Sequence, residues 1–166
     1  PNTPGLRELQ SKDSLGEILK AVMDINRKQA VQRPVFLKIA PDLTEEALQD
    51  VVEIATEMDI AGIVCNNTTI AREPLSTAMA EVEALGAGGL SGAPLYEKSN
   101  EILSQLKSLS PSHLHIIGVG GIDLPEKAVK KMELGADLVQ LYSGMVFYGP
   151  GLVRDIKKAL LGKNLS

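Results

Sequence analysis

The sequence predicts an α/β fold in which parallel strands alternate with helices. Four short apolar runs have the character of buried strands, at residues 35–40, 61–66, 115–119 and 137–141. Each is followed by a segment whose apolar residues recur at helical spacing, and one further helix is expected in front of the first strand. Strand–helix alternation of this kind is typical of a parallel sheet.

Small residues follow the last two predicted strands. Gly120 and Gly121 come after the third strand, and Tyr142, Ser143 and Gly144 come after the fourth. Glycine at such a position lets backbone N–H groups approach an anion without a Cβ in the way. Two such ends side by side are how an eightfold βα barrel holds phosphate. We therefore predict a phosphate-binding site within residues 115–149.

Four βα units are half of a (β/α)8 barrel, and the competing interpretation is a doubly wound sheet of four or five strands. The barrel is favoured because glycine-rich ends recur on several strands rather than only on the first. We expect residues 1–166 to be the C-terminal half of one barrel domain. Half a barrel exposes two strand edges and an open apolar interior, so further N-terminal sequence is expected.

The helices are predicted from their caps and apolar faces. Asp13 or Ser14 is expected to cap the first helix, and Thr44 the second. The third is expected to run from near Pro94 to about Leu109, and the last from Pro150 to about residue 161. Residues 70–93 are predicted to be irregular, and a connection of that length usually carries function or is mobile.

Composition narrows the possible partners. The net charge is −4 with no basic stripe, so nucleic acid is not an expected partner. His113 and His115 lack the cysteine or carboxylate cluster of a zinc site, and no metal site is expected. Cys65, the single cysteine, is expected to be a buried and inert thiol.

Lys38 is the first candidate functional residue. In the run VFLKIA it alternates with Leu37 and Ile39, so it should face the barrel interior if those residues pack on helices. A buried ammonium group needs an anionic partner. Lys38 is therefore either a lysine that extends its ammonium to solvent or pairs with a carboxylate, or a cation against the electron-rich edge of a cofactor.

Two further segments are candidate site elements. The run from Asn66 to Thr69 ends the second strand, where its amides could match a ring that alternates N–H and C=O. An ordinary turn and helix cap is the alternative. Residues 88–92, GGLSG, could form a flexible lid or a backbone nest for an anion.

Taken together, the motifs resemble the C-terminal half of dihydroorotate dehydrogenase. PNTPGL, KIAPDL, NNTT, GGLSGAPL, IIGVGGI and ADLVQLYSGMVFYGP occur in the family's order and spacing. The resemblance covers essentially all 166 residues. LSGAPL followed by a helix and the LVQLYSG…GP ending are similar to the membrane-associated, quinone-dependent class 2, whereas the two soluble classes usually differ there.

The resemblance implies an FMN-linked TIM barrel that oxidises dihydroorotate to orotate in de novo pyrimidine biosynthesis. It implies that Lys38 lies beside the flavin and stabilises charge on its reduced form. Asn66 stands where the family more often has threonine, and its implied cofactor contact is through the backbone. The other implied cofactor contacts are Ser91, Gly92, Gly120, Gly121, Tyr142 and Ser143, and the implied substrate contacts are Asn2, Asn67 and Thr68.

The catalytic base of class 2 is a serine immediately before the PNT motif, and this sequence begins at Pro1. No catalytic residue is therefore expected within the chain, and the segment alone should be inactive. The resemblance implies that the serine takes a proton from substrate C5, that hydride passes from C6 to the flavin, and that quinone reoxidises it.

The resemblance also implies peripheral membrane contact through N-terminal helices that form the quinone tunnel. The expected location is the cytoplasmic side of a bacterial inner membrane, or the mitochondrial inner membrane in a eukaryote. Two alternatives stay open. One is a soluble class 1 dihydroorotate or dihydropyrimidine dehydrogenase-like flavoprotein with cysteine as its base. The other is a phosphate-binding barrel half without flavin.

Overall fold

A computed structural model describes residues 11–72 and 75–163. In chain order the elements are α1 (Lys12–Arg27), β1 (Phe36–Ile39), α2 (Glu45–Glu57), β2 (Gly62–Cys65), α3 (Met79–Ala84), a 3-10 turn (Ala93–Leu95), α4 (Tyr96–Leu109), β3 (His115–Val119), α5 (Pro125–Glu133), β4 (Leu138–Gln140), α6 (Ser143–Tyr148) and α7 (Gly151–Lys163). The four predicted strands are all present. The alternation of strand and helix confirms the α/β prediction.

The strands form one open parallel sheet in the order β1-β2-β3-β4. Its register places Lys38 opposite Val64, Val64 opposite Ile117, and Ile117 opposite Leu138. Because side chains alternate along a strand, these four residues share one face of the sheet. Sequential parallel strands joined by helices are the arrangement expected of half a (β/α)8 barrel.

The main core lies between the opposite face of the sheet and helices α1, α2 and α4. Ile39 and Ile63 contribute from the strands, and Leu48, Val51 and Leu103 from the helices. Burying side chains of this kind stabilises the fold by roughly 1.5–3 kcal/mol each relative to exposure. This packing turns the other face of β1, and with it Lys38, away from the helices.

Helix α2 is fixed at its start by the predicted cap. Thr44 has extended backbone geometry, and its hydroxyl accepts a hydrogen bond from the Ala47 backbone N–H at 3.2 Å. Glu45 and Glu46 follow in the first turn, where carboxylates favour the helix dipole. This cap prediction is confirmed.

A second, smaller core joins α5 and α7 to the end of the sheet. Ile122, Ala128, Leu152 and Ile156 are buried there. Leu138 on the last strand is 61% exposed, so the face of β4 that it shares with Lys38 has no such cover in the described part of the chain. None of the described helices is long and apolar enough to cross a membrane.

Two local predictions were wrong. Helix α1 begins at Lys12, with Ser11 rather than Asp13 or Ser14 at its N-cap, because the Ser11 carbonyl accepts the Leu15 N–H at 2.9 Å. The stretch predicted as irregular contains α3 and an antiparallel bridge between Thr69 and Leu90.

A short helix follows β4. Helix α6 begins directly after Tyr142, whose carbonyl accepts N–H groups from Met145 and Val146 at 3.1 and 3.2 Å. The sequence offered only a glycine-containing run without helical periodicity there. The first turn of α6 thereby lies at one of the two strand ends where the phosphate-binding site was predicted.

Candidate functional site

A cavity of about 790 Å³ lies at the carboxyl ends of the four strands. Its volume is in the range of small-molecule and cofactor sites. Every predicted site residue that the structure describes lines this cavity: Lys38, Asn66, Asn67, Thr68, Ser91, Gly92, Gly120, Gly121, Tyr142 and Ser143. Asn2 lies outside the described residues. The structure thus brings the predicted residues together, while their binding roles stay predictions.

The end of β2 presents a buried amide to the cavity. Asn66 is 1% exposed, and neither its side-chain nitrogen nor its oxygen has a hydrogen-bond partner among the described residues. Leaving buried amide atoms unpaired costs free energy, so such a side chain at a cavity wall indicates a ligand that pairs with it. The side chain of Asn66 is therefore available for recognition, beyond the backbone contact expected from sequence.

The residues after Asn66 are held by a carboxylate from the loop after β1. The Thr69 hydroxyl donates a short hydrogen bond to Asp42, whose other carboxylate oxygen accepts the Ile70 N–H at 3.2 Å. Asn67 accepts the Thr68 N–H through its side chain at 2.9 Å, and its own N–H donates to the Ile39 carbonyl at 2.7 Å. The NNTT segment is thus attached to β1 at Ile39 and to the loop after β1 at Asp42.

Segment 88–92 is tied to the same strand end. Thr69 and Leu90 exchange two backbone hydrogen bonds, of 3.1 and 2.7 Å. The Arg72 guanidinium donates to the Gly88 carbonyl in a short contact, and a Cβ at Gly89 would overlap the Thr68 hydroxyl. These contacts place the following residue, Ser91, at the cavity, so the segment is an ordered wall in this structure.

The ends of β3 and β4 lie against one another. Gly120 and Gly121 have φ angles of +115° and +69°, in the region that favours glycine. Gly144 packs on the Ile122 carbonyl, since a Cβ at this position would overlap that oxygen. The two ends predicted to grip phosphate therefore form one continuous part of the wall, with Ser143 beside them.

Charged groups at the cavity are few. Lys38 is exposed in the described chain and lines the cavity near the end of β1, so its predicted direction is confirmed and its burial is not. Asp123 also lines the cavity, and its carboxylate pairs with Lys127 at 2.7 Å. A negatively charged ligand would therefore meet the Lys38 ammonium group without direct competition from a free carboxylate at Asp123.

Three polar residues beneath this wall were missed by sequence reasoning. Lys131 on α5 is fully buried, and its ammonium donates to Ser99 Oγ at 2.7 Å and to Asn100 Oδ1 at 3.0 Å. Burial lowers the pKa of Lys131 to about 8. The sequence carried only a weak signal that Lys131 is buried. It follows Ala128 by three residues, so the two share the buried face of the helix.

Cys65 behaves as expected from the sequence. It is completely buried in β2, and burial raises the pKa of its thiol to about 12. A thiol held protonated is a poor nucleophile and a poor metal ligand. Its place is in the core behind the cavity.

Comparison with known proteins identifies the family. The family model described as dihydroorotate dehydrogenase matches residues 1–163. The chain belongs to the dihydroorotate dehydrogenase family. The resemblance drawn from the motifs is thereby confirmed.

Similar curated proteins are named dihydroorotate dehydrogenase (quinone), which is class 2 of the family. The protein from Allorhizobium ampelinum is 49% identical over 164 residues, covering 96% of this chain and 44% of the relative. The protein from Christiangramia forsetii is 46% identical over 165 residues, covering 99% of this chain and 47% of the relative. The chain thus spans less than half the length of these relatives.

Solved structures agree with the barrel prediction. A crystal structure of a DHODH from Eimeria tenella in complex with ferulenol superposes with a TM-score of 0.88 at 32% identity. It covers 98% of this chain, which corresponds to 47% of that chain. A ligand-free DHODH structure from the same organism also gives 0.88, at 35% identity. The four βα units therefore correspond to part of a dihydroorotate dehydrogenase barrel.

Proposed function

We propose that a full-length protein carrying this chain oxidises dihydroorotate to orotate with FMN and a quinone acceptor, in de novo pyrimidine biosynthesis. The names of the similar proteins supply the substrate and the acceptor. The observation that carries the proposal is the cavity, because it gathers the inward lysine, the NNTT strand end and both glycine-rich strand ends in one wall.

The residues present fit a flavin mononucleotide. The unpaired amide of Asn66 offers a donor and an acceptor together, which suits the alternating N–H and C=O groups of a flavin ring. Gly120 and Gly121 line the cavity with positive φ angles, a backbone shape that can turn N–H groups toward a phosphate, and the hydroxyls of Ser91 and Ser143 line the same cavity. FMN, when bound, would supply the hydride-accepting ring of the reaction.

The chain's own residues would position and polarise the reactants. We assign Lys38 to the ring side of the cofactor, where a fixed positive charge favours the reduced, anionic form. Asn67 and Thr68, together with Asn2, are assigned to the substrate ring. The hydrogen bonds that Thr69 and Ile70 donate to Asp42 would keep this strand end in place while substrate enters and product leaves.

The quinone acceptor suggests where in the cell the protein is located. Quinones of this kind partition into lipid, so an enzyme that reduces them must meet a membrane surface. We propose a peripheral position at the inner membrane, on the cytoplasmic side in a bacterium or in the mitochondrion of a eukaryote. The contact is assigned to sequence other than this chain.

The test uses the full-length polypeptide, purified and mixed anaerobically with dihydroorotate. We expect the purified protein to show flavin absorbance, dihydroorotate to bleach it, and a quinone to restore it faster than fumarate or NAD⁺ does. Protein without flavin absorbance, even after incubation with FMN, would refute the proposal and favour the phosphate-binding alternative. Faster recovery with fumarate or NAD⁺ would favour the soluble class.

A further inference from the structure

The wall predicted to bind phosphate has little positive charge of its own. Among the described residues that line the cavity, Lys38 is the single lysine, and there is no arginine. Lys38 belongs to β1, whereas the Gly120–Gly121 turn follows β3, two strands away in the sheet. A phosphate dianion at that turn would therefore meet backbone N–H groups and hydroxyls rather than a basic side chain at the surface.

A cation lies directly behind the turn instead. The Lys131 stem crosses β3 at Gly118, where a Cβ would lie 3.2 Å from the lysine Cδ, so the missing side chain at that position makes room for it. Lys131 is fully buried, and both of its hydrogen-bond acceptors, Ser99 Oγ and Asn100 Oδ1, are neutral. Its other neighbours include the Tyr96 ring, whose centroid lies 5.5 Å from the ammonium, and Glu97, which acts on it electrostatically. A buried ammonium that is hydrogen-bonded to neutral oxygens and to no carboxylate is costly to the fold, which indicates that it serves another purpose.

Ser99 links this cation to the glycine turn. Its hydroxyl accepts from Lys131 at 2.7 Å and lies 3.1 Å from the Gly120 carbonyl and 2.8 Å from that of Tyr96, either of which can accept its proton. A Cβ at Gly120 would lie 2.8 Å from Ser99 Cβ, so the turn rests directly on this serine. Donation by an ammonium polarises the hydroxyl and strengthens the bond that it makes onward.

We infer that Lys131 is a positioning residue for the phosphate of the cofactor: through Ser99 it fixes the Gly120–Gly121 turn and supplies buried positive charge behind it. The inference rests on the proposed function, since it takes the bound phosphate to be that of FMN. Lys131 acts on the ligand only indirectly. It orients the turn and makes the electrostatic potential there more positive.

Riboflavin makes the test specific, because it carries the same ring as FMN and lacks the phosphate. Apoprotein of the full-length polypeptide is titrated with each flavin, and the two dissociation constants are read from quenching of flavin fluorescence. We expect Lys131→Met to weaken FMN binding about tenfold, the size of one lost charge-assisted interaction. Riboflavin binding should change by less than about twofold.

The matched control is Lys130→Met, which removes the same charge from the adjacent, exposed position of α5. It should leave both dissociation constants unchanged. An equal loss of FMN and riboflavin binding in Lys131→Met would overturn the inference, because a general packing defect would explain it. Unchanged FMN binding would overturn it as well.

Should Lys131→Met fail to fold, Ser99→Ala decides the matter, since it removes the bridging hydroxyl and keeps the lysine. It should weaken FMN binding selectively, and an unchanged ratio of the FMN and riboflavin constants would refute the link. Unmodified protein that binds neither flavin would refute the proposed function itself. If the unmodified protein binds both flavins and the variants bind them with the same dissociation constants, only the role of Lys131 is refuted.

Discussion

Ser91 Oγ and Ser143 Oγ lie 2.8 Å apart, although 52 residues separate them in the sequence. The contact joins segment 88–92 to the first turn after β4, across the part of the cavity assigned to phosphate. A pair of hydroxyls at this distance can share one proton between them and direct the remaining lone pairs or proton to a ligand. The two segments therefore form one continuous part of the cavity wall.

The first prediction concerns this pair. Ser143→Ala in the full-length protein should raise the FMN dissociation constant about tenfold, because a hydrogen bond to a charged phosphate is lost. Fluorescence titration of the apoprotein measures the change. Ser104→Ala, at an exposed position of α4, is the control and should bind FMN normally. Normal affinity in Ser143→Ala would argue against a phosphate contact there.

The second prediction concerns Gly121. A Cβ at this position would lie 2.5 Å from Tyr96 Cβ and 2.6 Å from its Cα, and φ is +69°. Gly121→Ala should lower the free energy of unfolding by roughly 3 kcal/mol, which combines backbone strain with overpacking. Urea denaturation of the apoprotein measures it.

Gly86 offers a matched control for that variant. Its φ is +76°, but a Cβ there would have no neighbour within 4 Å. Gly86→Ala should therefore cost only the backbone strain, about 1 kcal/mol. Equal costs for the two variants would show that the packing of Gly121 on α4 adds nothing.

The third prediction concerns Lys38. Its side chain is exposed in the described chain, so Lys38→Ala leaves no cavity in the core and should leave the midpoint of thermal unfolding nearly unchanged. Reduction of the bound flavin by dihydroorotate should nevertheless be lost, because the fixed charge beside the ring is gone. Stopped-flow absorbance measures the rate, with Lys98→Ala on the exposed side of α4 as control. A near-normal rate would remove Lys38 from the mechanism.

The fourth prediction concerns pH. Burial lowers the pKa of Lys131 from 10.5 to about 8, so between these values the unfolded chain holds a proton that the folded chain has lost. Stability contributed by this group must therefore rise with pH across that window, by up to about 3 kcal/mol. Cys65 acts in the opposite direction, because its pKa is raised from 9.0 to about 12 and stability falls between those values.

The difference between Lys131→Met and unmodified protein isolates the lysine contribution, since the contribution of Cys65 is largely shared by both. Glu97 and Cys65 are the titratable groups that act on Lys131. Urea denaturation of both apoproteins at intervals from pH 7 to 10.5 should show the unmodified protein gaining stability relative to the variant. A difference independent of pH would mean that Lys131 titrates normally in the folded protein.

The sequence alone determined the strands, the glycine-rich ends and the direction of Lys38. These features follow from short-range pattern: apolar runs, the alternation of side chains along a strand, and the steric freedom of glycine. Because the carboxyl ends of parallel strands meet at one edge of a sheet, segments far apart in the chain are expected to share one site. Resemblance of the motifs to a family then supplied the ligand.

Only the tertiary structure decided what lies behind that site. Lys130 and Lys131 are adjacent lysines, and in the sequence only the weak signal of helical spacing from Ala128 separates the buried one from the exposed one. Lys131 can be buried because Gly118 has no side chain and so leaves room for the lysine stem. Its ammonium also finds a hydrogen-bond acceptor in Ser99, 32 residues earlier in the chain. The same holds for the unpaired amide of Asn66. Desolvation and long-range hydrogen bonding arise from packing between elements, and local sequence patterns carry no record of them.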